Sequence, residues 1–228
     1  MNVGIFEQNL MKLKRDLVEM GYEVVKMLRG AGEALQKMDK TQARSVIKAD
    51  NGVNALENSV VHKAITLIAL NQPVAGDLRF LASSLRLASE IERIGDLGSN
   101  LARRTIELVR LREEDEPDAP MPEEVPEMFE KALYMLEMAI KAFEDNDTES
   151  AQNVIDYDDN IDDYNRAIKK KVLKIINNDG HKACWGYEVI TLASHLERLG
   201  DHATNLAEET FYMAKGKNIR HVASLSRP

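Results

Sequence analysis

Most of this sequence consists of two similar halves. The segment 20–47 aligns with 128–155 without a gap, at an offset of 108 residues. A shorter motif, IERIGDLGSNLAR at 91–103, returns as LERLGDHATNLAE at 196–208, with seven of thirteen positions identical. Self-similarity over such lengths is the signature of a repeated structural unit. The 228 residues are therefore expected to form two units with the same fold.

Apolar residues recur at spacings of three and four through nearly the whole chain, which predicts helices. Only 5% of the residues are aromatic, so aliphatic side chains must fill the core, as is common where helices pack together. Polar breaks separate six helical stretches, at about 5–38, 42–70, 74–112, 125–145, 149–176 and 183–215. The predicted fold class is all-α, with six long helices arranged as two tandem three-helix bundles.

One acidic, proline-rich stretch, EEDEPDAPMPEEVP, is the clear linker of the chain. It divides the sequence into a first three-helix bundle at 1–113, a linker at 114–126 and a second bundle at 127–216. The tail, 217–228, has few apolar residues and is predicted to be loose.

The repeated motif carries two carboxylates four residues apart, which places both on one face of a helix, about 40° apart. In each half this pair interrupts an apolar stripe. Polar residues also interrupt the stripe of the preceding helix: Asp50, Asn54 and Glu57 in the first half, Asp158 and Asp162 in the second. Counting outward from the turn that joins the two helices places two polar residues of each helix at one level. They are Asp50, Asn54, Glu92 and Asp96 in the first half, and Asp158, Asp162, Glu197 and Asp201 in the second.

Converging carboxylates repel one another, and partial burial adds to the cost. The neighbouring Arg93 and Arg198, protonation, or a divalent or trivalent cation could offset it. Hard oxygen ligands suit iron, manganese, magnesium, calcium or carboxylate-rich zinc sites. One acidic pair alone is usually a solvated surface, but duplication, the apolar stripe and the matched levels favour a metal site. Gly95 and Gly200, each beside a pair, would let another helix approach closely.

The motifs ERIGDLGSN and ERLGDHATN, together with QPVAGDLR, resemble those of the PhoU family of phosphate-transport regulators over nearly the whole chain. The resemblance implies two similar three-helix bundles and a cytoplasmic negative regulator of phosphate uptake and phosphate-starvation signalling. It also implies a homodimer that links the ATPase subunit of a phosphate ABC transporter to a sensor histidine kinase.

The resemblance further implies clusters of iron or zinc on the acidic motifs. Where the acidic pattern expects a carboxylate, this chain has Asn54, so the first site is expected to bind metal more weakly or to hold a smaller cluster. The implied ligands are Asp158, Asp162, Glu197, Asp201, Asp50, Glu92 and Asp96, with Asn54, Asn100 and Asn205 as second-tier candidates.

Composition argues against several other classes of protein. The net charge of −8 disfavours a nucleic-acid binder, because neutralising phosphates supplies much of that affinity. No segment approaches about 18 consecutive apolar residues, and a single cysteine cannot form a disulfide framework. A soluble intracellular protein is expected, one that meets the membrane only through its partners.

The alternative to a regulator is a metalloenzyme with a carboxylate-bridged metal site inside a helical bundle. Di-iron bundle enzymes pair a Glu with a His three residues later, and none of the five histidines follows a Glu at that spacing. The sequence also has no candidate nucleophile beside a base, so a non-enzymatic regulator is favoured. His195 and His202 lie far around the helix from Glu197 and are predicted to be surface residues.

Overall fold

The structure is a computed structural model that describes residues 3–114 and 120–217. Within these residues the chain forms helices and no strands, so the all-α prediction is confirmed. A short 3-10 turn, Gly180–Lys182, precedes the last helix. The six helices are α1 (Val3–Lys37), α2 (Lys40–Asn71), α3 (Ala75–Glu113), α4 (Glu124–Asp145), α5 (Thr148–Asn178) and α6 (Ala183–Lys215).

The region between the bundles is only partly described. Helix α4 begins at Glu124, so residues 124–126, predicted to belong to the linker, are helical. Residues 115–119 of the predicted linker lie outside the described residues. The predicted loose tail lies outside them too, from residue 218 onward.

Aspartates at equivalent positions cap the second helix of each bundle. Asp39 Oδ1 accepts hydrogen bonds from the amides two and three residues ahead, at 2.8 and 3.0 Å. Asp147 Oδ1 accepts the equivalent bonds at 2.9 and 3.2 Å. These amides lie in the first helical turn, where no backbone carbonyl is available to them. The two caps therefore help to start α2 and α5 at the same place in each repeat.

Replacing Asp39 or Asp147 by alanine is expected to lower the free energy of unfolding by about 1 kcal/mol in each case. The two sites share no partner, so the double variant should lose roughly the sum of the two. Urea unfolding measures both costs. Asparagine at either position keeps the accepting oxygen and should stay near the wild type. A loss with asparagine as large as that with alanine would show that the capping oxygen does not contribute.

The two bundles share one hydrophobic core. Helices α1, α2 and α3 pack against one another, as do α4, α5 and α6, and the bundles join along α3–α6 and α1–α4. Side chains from both bundles, such as Leu17 and Leu136, are fully buried in this core. The six helices are therefore packed as a single structural body.

Polar side-chain contacts cross the joint between α3 and α6. His202 Nδ1 lies 2.7 Å from Glu90 Oε2, and Arg104 Nη1 lies 2.9 Å from Glu188 Oε2. Only 9% of His202 is exposed, so its predicted place on the surface is wrong. The side of α6 that carries it packs against α3, and the sequence of α6 alone does not show this. His195 is also half-buried, and burial, followed by the charges of Arg198 and Arg104, lowers its pKa.

None of the helices formed by residues 3–114 and 120–217 is both long and apolar enough to span a lipid bilayer.

Candidate metal centre

A glycine beside each acidic pair allows a close approach between the helices of each hairpin. A Cβ atom at Gly95 would lie 3.6 Å from Asp50 Oδ1, and one at Gly200 would lie 3.5 Å from Asp158 Oδ1. Tighter contacts, at 3.1 and 3.3 Å, would form with a valine of α2 and an isoleucine of α5. The close helix approach predicted from these glycines is confirmed. It places one aspartate of the facing helix beside each repeated motif.

In the second bundle, the four predicted carboxylates of α5 and α6 lie within one another's electrostatic field. The pKa of Asp158 is raised from 3.8 to about 6, mainly by burial and then by the negative charges of Asp201 and Asp162. Burial and the charges of Glu197 and Asp162 also raise the pKa of Asp201. The positively charged side chain of Arg166 also lies near these carboxylates, with its Nη1 3.7 Å from Asp162 Oδ2. The four carboxylates therefore lie near enough to influence one another's ionisation.

In the first bundle, the acidic residues of α2 and α3 converge in the same way. Burial raises the pKa of Asp50, and the negative charge of Asp96 adds to the effect. Burial also raises the pKa of Glu92, helped by the charges of Asp96, Glu57 and Asp50. The repulsion predicted from the sequence is therefore present in both halves of the molecule.

Glu57 is a further carboxylate beside the first acidic site: it interrupts the apolar stripe of α2 but was not among the predicted ligands, and its charge acts on Glu92. The repeat aligns Glu57 with Asn165 and Asn54 with Asp162, so the acid and the amide have exchanged places between α2 and α5. With Glu57 counted, each half has four carboxylates and one amide, and the weaker metal binding expected from Asn54 stays a prediction. The signal was available, because Glu57 interrupts the apolar face of α2 one turn beyond Asn54.

Arginines next to the acidic pairs offset part of the repulsion. The charge of Arg93 lowers the pKa of Glu92, and that of Arg198 lowers the pKa of Asp201. Both arginines were among the offsetting groups considered from the sequence. Neither is sufficient, because the pKa values of both carboxyl groups remain raised after these contributions.

The donor atoms of the two sites suit a hard cation. Asp50 Oδ1 and Asn54 Oδ1 are buried and have no hydrogen-bond partner among the described residues. A buried oxygen without a partner is costly, and a cation would satisfy it. Asp96 and Asp201 are exposed, so both sites are open to ions from solvent. Oxygen-only donors of this kind match the preference of hard cations.

The carboxylates do not yet form a closed set of ligands. Among the residues that the structure describes, no three Asp, Glu, His or Cys side chains lie close enough together to hold one ion. Mutual repulsion favours such splayed side chains. Binding would therefore require the side chains to move inward around the ion.

The two second-tier asparagines of the motif have other partners. Asn205 Nδ2 donates to Glu90 Oε2 at 3.2 Å, across the joint between the bundles. Asn100 Oδ1 accepts from Arg103 Nη1 at 2.9 Å. Both side chains project well to the side of the acidic stripe, which is why they reach these partners.

Comparison with known proteins identifies the repeated unit. The family model of the PhoU domain matches the chain twice, at residues 17–105 and 125–210. The chain belongs to the PhoU family. Each match falls on one of the two bundles, so this PhoU protein carries two copies of the domain in tandem.

Two PhoU relatives resemble almost the whole chain. The phosphate-specific transport system accessory protein PhoU homolog 1 of Thermotoga maritima is 34% identical over 215 residues, which cover 94% of this chain and 91% of the relative. The PhoU homolog of Clostridium acetobutylicum is 31% identical over 216 residues, which cover 94% and 96%.

Solved PhoU structures share the architecture. The crystal structure of PhoU from Pseudomonas aeruginosa has a TM-score of 0.87 at 30% identity, covering 93% of this chain and all of that one. The crystal structure of the phosphate transport system regulatory protein PhoU from Streptococcus pneumoniae has a TM-score of 0.86 at 26% identity, covering 94% and 99%. The prediction of two tandem three-helix bundles is confirmed.

Proposed function

We propose that this protein is a negative regulator of phosphate uptake and of phosphate-starvation signalling, and that it acts as a metal-binding adaptor and not as an enzyme. It docks, as a cytoplasmic homodimer, on the ATPase subunit of a phosphate ABC transporter and on a sensor histidine kinase. The match of both bundles to the PhoU domain carries this proposal. Relatives that cover nearly the whole chain are named as accessory proteins of phosphate-specific transport.

Metal binding is part of the proposal because each acidic site joins two helices. A cation, iron or zinc by the family resemblance, would cancel the repulsion between carboxylates on the facing helices. It would thereby hold α2 against α3 and α5 against α6. The residues that would hold it are Asp50, Glu57, Glu92 and Asp96 in the first bundle, and Asp158, Asp162, Glu197 and Asp201 in the second.

Exposed apolar side chains flank the turn between α2 and α3 and would form the docking surface for the ATPase subunit. Leu70 and Val74 are 73% and 74% exposed, and Ile65 and Leu78 are 54% and 42% exposed. These four residues are termed the hairpin patch. Exposed apolar clusters commonly mark interaction sites, so the patch is the first surface to test.

The backbone beneath the hairpin patch is also unusual. Helix α3 begins after Val74 without a side-chain cap. Ala75 has a φ of 46°, in the left-handed region, where a non-glycine residue costs about 1–2 kcal/mol. Strain of this kind tends to be retained at functional positions. In the second bundle, by contrast, Asp179 caps the equivalent turn through the amide of His181 at 3.1 Å.

The docking proposal is tested by a pull-down against the transporter's ATPase subunit and the kinase's cytoplasmic portion. Serine at Leu70 and Val74 is expected to abolish capture by the ATPase subunit, since both side chains are exposed and their loss should not unfold the protein. Serine at Leu173 and Tyr187, which are 52% and 62% exposed near the other hairpin turn, is the matched control. Single changes in the acidic sites, such as Asp201→Asn, should leave docking intact.

Deletion of the gene is expected to leave the phosphate-starvation response active when phosphate is plentiful. A reporter of that response in the deletion strain measures this directly. Normal repression in the deletion strain, together with no capture of either partner with or without added metal, would overturn the regulator proposal. The alternative hypothesis, a metalloenzyme, would then be the one to test.

A further inference from the structure

A cavity of about 1140 Å³ lies at one end of the joint between the two bundles. The last turns of α1 and α3 and the first turns of α4 and α6 surround it, and Tyr164 of α5 lines one side. On α5 the cavity begins two residues beyond Asp162, a residue of the second acidic site. Its walls are mainly apolar and include Leu35, Leu108, Leu111, Phe129, Leu133 and Trp185.

The internal repeat shows that the fold itself does not require this cavity. The offset of 108 residues aligns Gly32 with Ile140 and Leu35 with Phe143. Ile140 and Phe143 line a void of only about 10 Å³ in the described part of the chain. Protein interiors are normally close-packed, and an apolar void lowers stability. A Cβ at Gly32 would lie 2.8 Å from Phe129 Cε1, so that position is already filled. The difference that bears on the cavity is Leu35, where the other end of the joint has the larger Phe143.

Charged side chains also line the cavity, and most of them already form an ion pair or a hydrogen bond. Arg29 pairs with Glu137, Glu127 accepts from the Tyr164 hydroxyl at 2.9 Å, and Lys131 donates to Tyr157. Glu33 accepts hydrogen bonds from Lys37 and Gln42. Within the described residues, Arg112 and Glu130 are the lining charges that remain without a hydrogen bond or ion pair.

Of these two groups, Arg112 is better suited to hold a ligand against an apolar wall. Its guanidinium is planar and weakly hydrated, and it binds carboxylate or phosphate oxygens in a bidentate manner. Its stem can pack along apolar surface while the charge stays at the edge. An anionic group is therefore favoured where it meets Arg112 of α3, whereas Glu130 of α4 repels an anion on its own side of the cavity.

We propose that this cavity binds one anionic amphiphile, with its apolar body seated among the leucines, Phe129 and Trp185 and its anionic group on Arg112. Common ligand sites occupy about 300–1,000 Å³, so the cavity can take a chain of a dozen carbons or more. The apolar walls supply the affinity, and Arg112 selects the charge. This inference does not depend on metal binding or on phosphate regulation.

Trp185 makes binding measurable without a label. It is the only tryptophan of the chain and it lines the cavity. Titration of the full-length protein with dodecanoate, kept below its micelle concentration, is expected to change Trp185 emission to saturation at one equivalent. Dodecylamine has the same chain with the opposite charge. Its ammonium group repels Arg112 and cannot accept a hydrogen bond from it, so dodecylamine should bind roughly tenfold more weakly.

Two variants locate the site. Leu35→Phe introduces the residue found at the equivalent position, Phe143, and should reduce the saturable signal at least roughly tenfold by filling the cavity. Its thermal unfolding temperature should be at or above that of the wild type. Arg112→Gln should weaken dodecanoate binding by roughly fivefold, because the charge lies at an exposed edge. Arg110→Gln is its control, since Arg110 pairs with Glu107 and Glu114 outside the cavity.

Several outcomes would overturn the proposal. One is the lack of any saturable change in Trp185 emission with dodecanoate. Another is equal binding of dodecylamine, which would remove the role of Arg112. Unchanged affinity in a folded Leu35→Phe variant would place the binding elsewhere, and an Arg110→Gln effect equal to that of Arg112→Gln would make the charge effect non-specific. If Leu35→Phe does not fold, the Arg112 and Arg110 variants decide the question.

Discussion

Replacing Glu197 by glutamine and Asp201 by asparagine is expected to abolish the metal binding proposed for the second bundle. Both substitutions keep the side-chain shape but delete two of four converging negative charges, and affinity for hard cations falls with ligand charge. Metal-free protein is incubated with iron(II), zinc(II) or manganese(II), desalted, and its metal content is measured by elemental analysis. The double variant should keep about half of the wild-type content, held by the first bundle.

The first bundle supplies the internal comparison. Glu92→Gln with Asp96→Asn should remove the other half of the metal content. The variant that carries all four substitutions should bind almost no metal. Glu57→Gln alone should weaken the first site in calorimetry, because Glu57 provides the charge that Asn54 lacks. Glu144→Gln with Asp145→Asn removes two carboxylates of α4 that pair with Lys141, and it should leave the metal content unchanged. Wild-type metal content in the fourfold variant would refute the assignment of both sites.

Replacing Asp158 by asparagine is expected to stabilise the metal-free protein at about pH 7.5 and to have little effect at about pH 4. The pKa of Asp158 is about 6 in the folded protein, against about 3.9 in an unfolded chain. The folded state therefore binds this proton more tightly, and stability is lost as the pH rises from about 4 through 6. The full shift corresponds to about 3 kcal/mol, which partial exposure reduces to roughly 1 kcal/mol.

Urea unfolding of the wild type and the Asp158→Asn variant across this pH range measures the difference. Asp156→Asn serves as the control, because Asp156 is exposed and pairs only locally with Gln152. With saturating metal, the wild type should be more stable than Asp158→Asn, because a bound cation stabilises the ionised carboxylate. If the stability of the wild type and that of Asp158→Asn depend on pH in the same way, repulsion within the acidic cluster does not lower the stability of the protein.

The first of the two acidic clusters shows which of its carboxylates could be picked out from the sequence and which could not. Asp50, Glu92 and Asp96 were found because each interrupts a helical stripe, and the hairpin geometry places them at one level. Glu57 was left out, although it interrupts the same face, because level-matching from an approximate turn position does not resolve one helical turn. The electrostatic contact between Glu57 and Glu92 appears only once the two helices are docked.

What the sequence by itself determined is local or repeated. The six helices, the duplication and the acidic pairs beside Gly95 and Gly200 all follow from periodicities and motifs within a few turns of chain. Such patterns can be recognised in a sequence because a helix has 3.6 residues per turn, so residues three or four apart lie on the same face.

Only the tertiary structure decided how the two bundles meet. The burial of His202 against Glu90 and the cavity at Trp185 both depend on the rotation of one bundle against the other. The partners in these contacts are far apart in the chain, and both helices have more than one face able to pack. Their choice is set by the fit of whole surfaces in the shared core, which no single helical stripe encodes.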